Sequence, residues 1–321
     1  MTEKYILLTT EYNTTNDNTA NILSNSTLQM LQSKMLQKVL PILYLAIFFF
    51  SVPVNFISTW ILCKTHPWTP TVVFMINLAV TDFVYGITLP FQVVYHIRGN
   101  DWPFGSTFCT MATVLFYGNM NCSILTIASI SVERYIGIVY PLRYKTFVSV
   151  QKVVLICLFN WGLVLMVEVP LIYSKLTFHV AELGIVTCFD VLPKTMFPSL
   201  IYFMVYSGCR FLLFFVIPLM VMGFCYLSIA VNILHSGNIQ SQEAKKHTIY
   251  MITVLLFVFL LCYLPNNIIM IAHIVSVSKG NSLYIEYKLT LALNSLNCCM
   301  DPIVYYYGSK EFRQKVQDHL T

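Results

Sequence analysis

The sequence predicts an all-α membrane protein, a bundle of seven transmembrane helices followed by a short amphipathic C-terminal helix. Of its 321 residues, 57% are hydrophobic and 10% are charged, whereas a soluble domain has roughly 25% charged residues. The mean hydropathy is +0.69. The apolar residues also gather into seven stretches, each long enough for the about 20 residues that a spanning helix needs. Secreted and cytosolic enzymes are excluded by these observations.

The seven stretches run roughly over residues 39–64, 71–98, 106–139, 150–173, 199–234, 243–277 and 284–307. They show no alternation of period two and exceed the roughly ten residues of a membrane β-strand, which excludes a β-barrel. Six of them contain an internal proline, and we expect kinked helices there because neighbouring helices and water satisfy the freed backbone groups. These prolines are Pro53, Pro90, Pro170, Pro218, Pro265 and Pro302.

The chain divides into three parts around this bundle. Residues 1–38 are expected to form a disordered extracellular tail, residues 39–307 the bundle, and residues 308–321 the amphipathic helix and C-terminal tail. In the last part apolar residues recur at every fourth position from Phe312, with cations on the other side, as in helices that lie on a membrane surface.

The N-terminal tail and the charges between the spans predict the orientation. The tail is rich in Asn, Thr and Ser and has N-glycosylation triplets at Asn13 and Asn25. With this end outside, the inner segments hold ten cations and four carboxylates, against eight and seven outside. This bias agrees with the positive-inside rule. The net charge of +5 is modest and no basic stretch interleaves with aromatic residues, so nucleic acid is not an expected partner.

The cysteines predict one disulfide. Eight of the ten lie in or at the inner edge of apolar stretches and are interpreted as small buried hydrophobes. Cys109 opens the third stretch at its outer end and Cys188 lies in the loop between the fourth and fifth, so we expect a bridge that ties this loop over the bundle mouth. Two free thiols are the alternative. No spacing of Cys and His suits a metal site.

Charged residues inside membrane spans are costly, so each needs a function or a partner. Asp82 and oxygen-bearing residues on other spans predict a small chamber that holds water or a sodium ion, since hard cations prefer oxygen ligands. A hydrogen-bonded packing cluster with water only is the alternative. The members are Asp82, Asn119, Ser123, Asn297 and Asp301.

Two further pairs of charges are expected. Glu133 and Arg134 lie at the inner end of the third span, and because adjacent residues of a helix cannot face each other well, their pair is easily broken. It suits a latch, with a stabilising clasp as the alternative. Glu168 and Arg210 lie in the fourth and fifth spans and are expected to pair, since an unpaired charge there is costly.

Eight motifs stand in one order along the seven spans. They are Asn55, Asn77-Leu78-Ala79-Val80-Thr81-Asp82, Cys109, Glu133-Arg134-Tyr135, Trp161, Pro218 with Tyr226, Phe259-x-x-Cys262-Tyr263-x-Pro265, and Asp301-Pro302-x-x-Tyr305. In order and spacing they resemble the motifs of the rhodopsin-like (class A) G-protein-coupled receptors. Leu89-Pro90-Phe91 and Trp102-Pro103-Phe104-Gly105 resemble the purinergic and lipid-receptor branch, and Cys188-Phe189-Asp190-Val191-Leu192 is similar to an orphan purinoceptor-like receptor of that branch.

The resemblance implies a plasma-membrane receptor in which an extracellular ligand shifts a two-state bundle toward a form that binds a heterotrimeric G protein, here expected to be of the Rho-activating class. Arrestin, a receptor kinase and membrane lipids are further expected partners, and no cofactor beyond a sodium ion is expected. The residues that it assigns to activation and G-protein coupling are Glu133, Arg134, Tyr135, Pro141, Leu142, Tyr226, Lys245, Lys246, Phe259, Tyr263, Pro265, Asp301, Pro302 and Tyr305.

The outer ends of the spans predict the ligand. Cations above apolar walls fit an anionic head on an apolar tail, so we expect a lysophospholipid or a lipid-conjugated acidic peptide. For any single rim lysine, solvation or a lipid headgroup is the alternative. The candidate contacts are Tyr95, His96, Arg98, Phe116, Tyr117, Lys175, His179, Arg210, Asn266, Asn267, His273 and Lys288. His273 and Lys288 are the foremost of these.

Other functions are kept as alternatives. A nucleotide-activated purinergic receptor is one, although the His-x-x-Arg or His-x-x-Lys pattern of the nucleotide-binding members is replaced here by Asn266, Asn267 and Met270. An ion channel or transporter is the alternative from a different class. No nucleophile, base and orienting group occur at a plausible spacing, so an enzyme is not expected.

Overall fold

The computed structural model describes residues 25–191, 200–235, 242–278, 283–308, 312–315 and 317. In chain order the elements are α1 (Asn25–Leu31), α2 (Lys34–Cys63), α3 (Pro70–Ile97), α4 (Ser106–Val139), α5 (Pro141–Phe147), α6 (Val150–Tyr173), β1 (Thr177–Val180), β2 (Ile185–Cys188), α7 (Leu200–Phe211), a π-helical turn (Leu212–Val216), α8 (Ile217–His235), α9 (Gln242–Ser278), α10 (Tyr284–Asn294) and α11 (Asn297–Gly308).

The bundle of spans follows the predicted apolar stretches. Within the described residues, six helical segments are long and apolar enough to cross a membrane: α2, α3, α4, α6, the α7–α8 segment, and α9 from Thr253 to Ser276. The seventh predicted stretch forms two shorter helices, α10 and α11. The seven-helix bundle is therefore confirmed, and the chain is a multi-pass membrane protein.

The seventh span is divided at Ser295 and Leu296. Leu296 N donates to Leu293 O at 3.0 Å, and Cys299 N donates to Leu296 O at 3.0 Å. These i→i+3 hydrogen bonds tighten the chain into a turn between two α-helices. Ser295 also accepts a hydrogen bond from the Tyr85 hydroxyl at 2.8 Å, which fixes the turn against α3.

Capping residues and prolines occur at the start of helices and inside them. The Thr69 hydroxyl accepts a hydrogen bond from Val72 N at 3.3 Å and Pro70 occupies the first turn of α3, a favourable start for a helix. Five of the predicted kink prolines lie inside helices. The sixth, Pro218, is the second residue of α8, two positions after the π-helical turn, and it has no N–H to donate.

Polar side chains join the spans to one another. Asn55 donates from Nδ2 to Cys298 O at 2.7 Å, linking α2 to α11. Trp161 Nε1 donates to Asn77 Oδ1 at 3.1 Å, and Asn77 Nδ2 donates to Thr126 Oγ1 at 3.1 Å, linking α6, α3 and α4. These motif residues therefore hold the helices in their relative positions.

Large apolar side chains cover the outside of the bundle. Phe49, Leu155 and Met220 are 67%, 64% and 70% exposed. Exposed apolar surface of this extent is typical of a face that contacts lipid. Inside, the buried apolar residues form two main clusters, one at the end of the bundle with Cys109 and one at the end with Tyr226.

A β-hairpin ties the loop between α6 and α7 to the bundle. β1 and β2 pair antiparallel, with Thr177 opposite Cys188. Cys188 forms a disulfide with Cys109, so the predicted bridge is confirmed. Val186 O accepts a hydrogen bond from Trp102 N at 2.7 Å, which links the hairpin to the segment between α3 and α4. We call this end of the bundle the disulfide end.

A helical segment follows α11. Residues 312–315 and 317 are helical, Phe312 is 5% exposed, and Lys315 Nζ donates to Lys64 O at 2.6 Å. The predicted C-terminal helix is therefore present and contacts the loop after α2. Asn13 and the side chain of Asn25 lie outside the described residues, so glycosylation stays a prediction.

Candidate ligand cavity and signalling clasp

A cavity of about 730 Å³, including its open mouth, lies toward the disulfide end between α4, α7, α9 and α10. Four of the predicted ligand contacts line it: Tyr117, Arg210, Asn266 and Asn267. Its other lining residues are Met120, Asn121, Ile124, Leu171, Phe189, Phe203, Tyr206, Ser207, Phe211, Phe214, Met270 and Tyr287. The wall is thus mainly aromatic and aliphatic, with few polar groups.

Arg210 is the cation of this cavity. It lies at the end of α7, just before the π-helical turn. Its guanidinium carbon is 4.7 Å from the centre of the Tyr117 ring, and Nη1 donates to the Tyr206 hydroxyl at 3.3 Å. Cation–π contacts of this kind stabilise a guanidinium but leave its charge uncompensated.

The prediction of an ion pair between Arg210 and Glu168 is wrong. Glu168 is fully buried on α6 and accepts a hydrogen bond from Asn121 Nδ2 at 3.4 Å, while Arg210 turns toward tyrosine rings. The two charges attract each other only through space. Within the described part of the chain, no carboxylate contacts the Arg210 guanidinium.

His273 lies beside the cavity rather than in its wall. It is 1% exposed, and its Nδ1 accepts a hydrogen bond from Leu283 N at 3.1 Å, next to the start of α10. Its ring stacks on the Tyr287 ring at 6.1 Å between centroids. The Tyr287 hydroxyl lies 3.1 Å from the Tyr117 hydroxyl, which joins α10 to α4. His273 therefore positions α9 against α10.

Lys288 forms a buried ion pair with Asp190, in the loop after β2. The Asp190 carboxylate also accepts hydrogen bonds from the hydroxyls of Tyr95, at 2.5 Å, and Tyr284. Burial acts to raise the pKa of Asp190, but the Lys288 ammonium and these hydrogen bonds hold it below its ordinary value. We call these four residues the loop tie, since they fasten the disulfide loop to α3 and α10.

The remaining predicted contacts lie outside the cavity wall. His96 Nδ1 is 2.7 Å from Asn100 Oδ1 in a buried contact, and Arg98 forms an exposed pair with Asp101 at 3.0 Å. Phe116, Lys175 and His179 do not line the cavity either, and the last two are exposed. As ligand contacts, these residues, with Tyr95, His273 and Lys288, stay predictions.

A second polar cluster, which we call the clasp, lies at the opposite end of the bundle. Arg134 Nε is 3.2 Å from Glu133 Oε2, and Arg134 Nη2 donates to the Thr71 hydroxyl at 2.7 Å. That hydroxyl and the Tyr144 hydroxyl both donate to Glu133 Oε1, at 3.2 and 2.5 Å. Burial and the Glu133 carboxylate raise the pKa of Tyr144.

The other predicted activation residues lie in the inner half of the bundle and at the clasp end. The Tyr226 hydroxyl is 2.6 Å from Ser131 Oγ, and Phe259 and Tyr263 are fully buried, with ring centroids 5.3 Å apart. Tyr135 packs against the Tyr140 ring at 5.7 Å. Pro265 and Pro302 lie inside α9 and α11, and Pro141 begins α5. The side chains of Lys245, Lys246 and Tyr305 are not among those that the structure describes.

The predicted polar chamber brings carboxyl groups together. Asp82 is fully buried and accepts a hydrogen bond from Asn119 Nδ2 at 2.8 Å, and the Asp301 carboxyl adjoins it. Cys298 Sγ donates to Asn297 Oδ1 at 3.4 Å, beside Asn119. Among the described residues, the Ser123 hydroxyl has no hydrogen-bond partner.

Several residues of these sites are not predicted from the sequence. Asp190, Tyr284 and Asn121 complete the polar contacts of the disulfide end, and Thr71 and Tyr144 complete the clasp. For Asp190 a signal existed, because it follows the disulfide cysteine by two positions. The others have no local pattern that distinguishes them from packing residues.

Comparison with known proteins agrees with this architecture. The sequence model of the family "7 transmembrane receptor (rhodopsin family)" matches residues 55–305 of the chain. The chain is 42% identical over 295 residues to purinoceptor 8 of Gallus gallus, covering 91% of this chain and 83% of that protein. It is 41% identical over 298 residues to the S-geranylgeranyl-glutathione receptor of Homo sapiens, covering 92% and 83%.

A more distant relative is proteinase-activated receptor 1 of Xenopus laevis, 35% identical over 284 residues, which cover 88% of this chain and 67% of that protein. These relatives are receptors rather than enzymes, and the predicted resemblance is confirmed. The chain belongs to the rhodopsin family of seven-transmembrane receptors.

Proposed function

We propose that this protein is a plasma-membrane receptor, with its N-terminus outside, that binds an anionic amphiphile at Arg210 and activates a heterotrimeric G protein. The observation that supports it best is the setting of Arg210, a guanidinium in a mainly apolar cavity that no carboxylate of the described chain contacts. A cation removed from water is stabilised by an anion that binds it directly, and guanidinium binds carboxylate or phosphate with two parallel hydrogen bonds.

The cavity walls support an apolar chain on that anion. The lining is mainly aromatic and aliphatic with a few polar groups, which is the usual composition of a site for a small molecule with an apolar part. The name of the human relative states S-geranylgeranyl-glutathione as its ligand, a prenyl chain joined to an acidic peptide. We infer that the ligand of this chain is a lipid-conjugated acidic peptide. A lysophospholipid, which joins an acyl chain to a phosphate, is the second candidate of the same class.

At the inner end we infer that activation opens the clasp. Arg134 leaves Glu133 and Thr71 and becomes available to a G protein, expected to be of the Rho-activating class. Leu142 is 96% exposed on α5 beside Pro141, as expected of a docking residue. Arrestin and a receptor kinase are inferred partners of the open form, and Lys245 and Lys246 are inferred to border the docking surface.

Between the two sites, we infer that the α9 kink at Pro265 transmits the motion. Phe259 and Tyr263 lie on the inner side of this proline, and Tyr226 is held by Ser131 in the closed form. Opening the bundle would release the Tyr226 hydroxyl from α4. Tyr305 is inferred to turn inward with it.

We further infer that the Asp82 chamber holds sodium or ordered water. Two adjoining carboxyl groups, Asp82 and Asp301, need a cation or a proton between them. Their oxygens, with those of Asn119, Ser123 and Asn297, are the donors that a hard cation prefers. A bound sodium ion would supply positive charge to the two carboxylates and favour the closed bundle.

The test is a G-protein dissociation assay in cells that display the receptor, with three probes: S-geranylgeranyl-glutathione, a lysophosphatidic acid and ATP. We expect the prenylated peptide to dissociate a Rho-activating G protein at the lowest concentration. A response to the lysophosphatidic acid alone would show that the ligand has a phosphate head group rather than a carboxylate. A response to ATP alone would support the nucleotide alternative, and no response to any probe would contradict the proposal.

A further inference from the structure

Two buried acceptor groups adjoin the cavity on its α4 side. Asn121 lines the cavity and is 1% exposed, and Glu168 on α6 lies next to it and is 0% exposed. Neither Asn121 Oδ1 nor Glu168 Oε2 receives a hydrogen bond from the described residues. A buried acceptor without a donor is unfavourable, so these atoms indicate a missing donor.

The carboxyl group of Glu168 orients the Asn121 amide. Its Oε1 atom accepts a hydrogen bond from Asn121 Nδ2 at 3.4 Å, so the amide nitrogen faces the carboxyl group. The amide oxygen is therefore the polar atom that Asn121 has left for a ligand. The hydrogen bond to Glu168 sets the orientation of the Asn121 amide.

On its other side Glu168 is enclosed. A Cβ added to Gly118 would lie 3.6 Å from Glu168 Oε2 and 3.6 Å from the Trp161 ring. These are ordinary van der Waals distances, so the carboxyl group packs against α4 at this position, and its Oε2 atom has no donor among the described residues. The Glu168 carboxyl acts on the cavity through Asn121, which lies between them.

The cavity therefore has a cation, Arg210, on one side and the Asn121 oxygen, with the Glu168 carboxyl group behind it, on another. Arg210, on α7, is held by Tyr206 and the Tyr117 ring, and the Glu168 carboxyl does not touch it. The two charges attract through space but leave each other's hydrogen-bonding atoms free for a third group. Such a separation fits a molecule that has both an anionic and a cationic end.

We propose that the cavity recognises a zwitterionic amino-acid head, with the ligand carboxylate on Arg210 and the ligand ammonium on Asn121 Oδ1. Glu168 is the positioning residue, since its hydrogen bond orients Asn121 and a bound ammonium nearby favours the ionised form of its carboxyl group. This inference rests on the proposed function and narrows it to lipid conjugates with a free α-amine. A phosphate head without an amine would leave the Asn121 oxygen without a donor.

The test compares two probes that differ only at the amine: S-geranylgeranyl-glutathione and its N-acetyl derivative. Acetylation removes the positive charge and adds bulk while it retains both carboxylates and the prenyl chain. On the wild-type receptor we expect the free amine to be more potent by about tenfold or more, on the order of one charge-assisted hydrogen bond.

Three variants locate the effect. Glu168→Gln retains the shape and removes the charge, and Asn121→Leu removes the acceptor; each is expected to bring the potency ratio of the two probes to about one. Asn266→Leu is the matched control, because it removes an amide from another wall of the same cavity. It is expected to weaken both probes and to leave their ratio unchanged.

The outcomes separate this inference from the proposed function. Equal potency of the two probes on the wild type overturns the inference, even if both activate the receptor. A ratio that survives in either Glu168→Gln or Asn121→Leu, in a variant that reaches the cell surface, also overturns it. If neither probe activates the wild type, the proposed function fails as well. A merely structural role of Glu168 would lower both potencies together.

Discussion

Two ion pairs, one at each end of the bundle, use similar side chains in different settings. In the loop tie, Asp190 binds Lys288, and their side chains are 3% and 13% exposed. In the clasp, Glu133 binds Arg134 at 3.2 Å, and the arginine side chain is 26% exposed. Each carboxylate also accepts a hydrogen bond from at least one tyrosine hydroxyl.

The difference between them lies in what each pair connects. The loop tie joins segments that are remote in the chain, the disulfide loop and α10, with Tyr95 adding α3. The clasp pair joins neighbours on α4, where the helix persists whether or not the pair is made. Breaking the loop tie therefore loosens the fold, whereas breaking the clasp changes which groups are offered to a partner.

The largest expected effect is at the clasp. Arg134→Ala is expected to abolish G-protein dissociation and to leave ligand binding intact, because the arginine is inferred to contact the G protein once released. Dissociation and probe binding are measured at equal surface expression. Arg143→Ala removes an exposed cation from α5 and is the control. Signalling retained by Arg134→Ala would remove the latch from the account.

The loop tie is expected to affect stability instead. Asp190→Ala leaves a buried ammonium uncompensated and should lower the free energy of unfolding by about 3 kcal/mol or more. The double variant Asp190→Ala/Lys288→Met should recover most of this loss. Thermal unfolding of the purified receptor measures it, with Glu286→Ala on the exposed side of α10 as control. An unchanged Asp190→Ala midpoint would show that the pair is dispensable.

A smaller effect is expected from Tyr144→Phe. Loss of its hydrogen bond to Glu133, 2.5 Å long, should favour the open clasp by about 1 kcal/mol, or roughly fivefold in the open population. Basal G-protein dissociation without ligand measures the shift. Tyr173→Phe is the control, because that tyrosine is 86% exposed at the end of α6. Equal basal activity of the two variants would count against a role of Tyr144 in the clasp.

The smallest effect concerns pH. Because the pKa of Asp190 is lowered in the fold, its stabilisation is present above the ordinary Asp pKa of about 3.9 and is lost only as pH falls through the lower value. The difference in melting temperature between wild type and Asp190→Asn should therefore stay constant from about pH 5 to pH 8. A difference that shrinks toward the acidic end would contradict this ionisation.

The sequence predicts the spans well because lipid requires long apolar helices, whatever the later packing. It does not predict the division of the seventh span at Ser295, which depends on local backbone hydrogen bonds and on the Tyr85 hydroxyl of another helix. The clasp is found from the sequence because Glu133-Arg134-Tyr135 stands among motifs whose order and spacing resemble those of the family.

The sequence does not predict which charged side chains pair with each other inside the bundle. The sequence favours Lys288 as a foremost ligand contact, yet this lysine already pairs with Asp190, and the path of the disulfide loop decides this. The sequence also favours a pair of Arg210 with Glu168, yet two tyrosines hold the guanidinium. Which cation remains available depends on side-chain directions and loop paths, and neither has a periodic signal.

Arg210 is proposed to hold the anionic head of the ligand. The most direct test of this role is the potency of S-geranylgeranyl-glutathione on the Arg210→Ala receptor. Removing one partner of a buried charge pair should raise the half-maximal concentration about 100-fold, with Arg210→Lys in between because an ammonium lacks the planar fork. Lys38→Ala, which removes an exposed cation near the start of α2, should match the wild type. A wild-type potency for Arg210→Ala at equal surface expression would contradict the account.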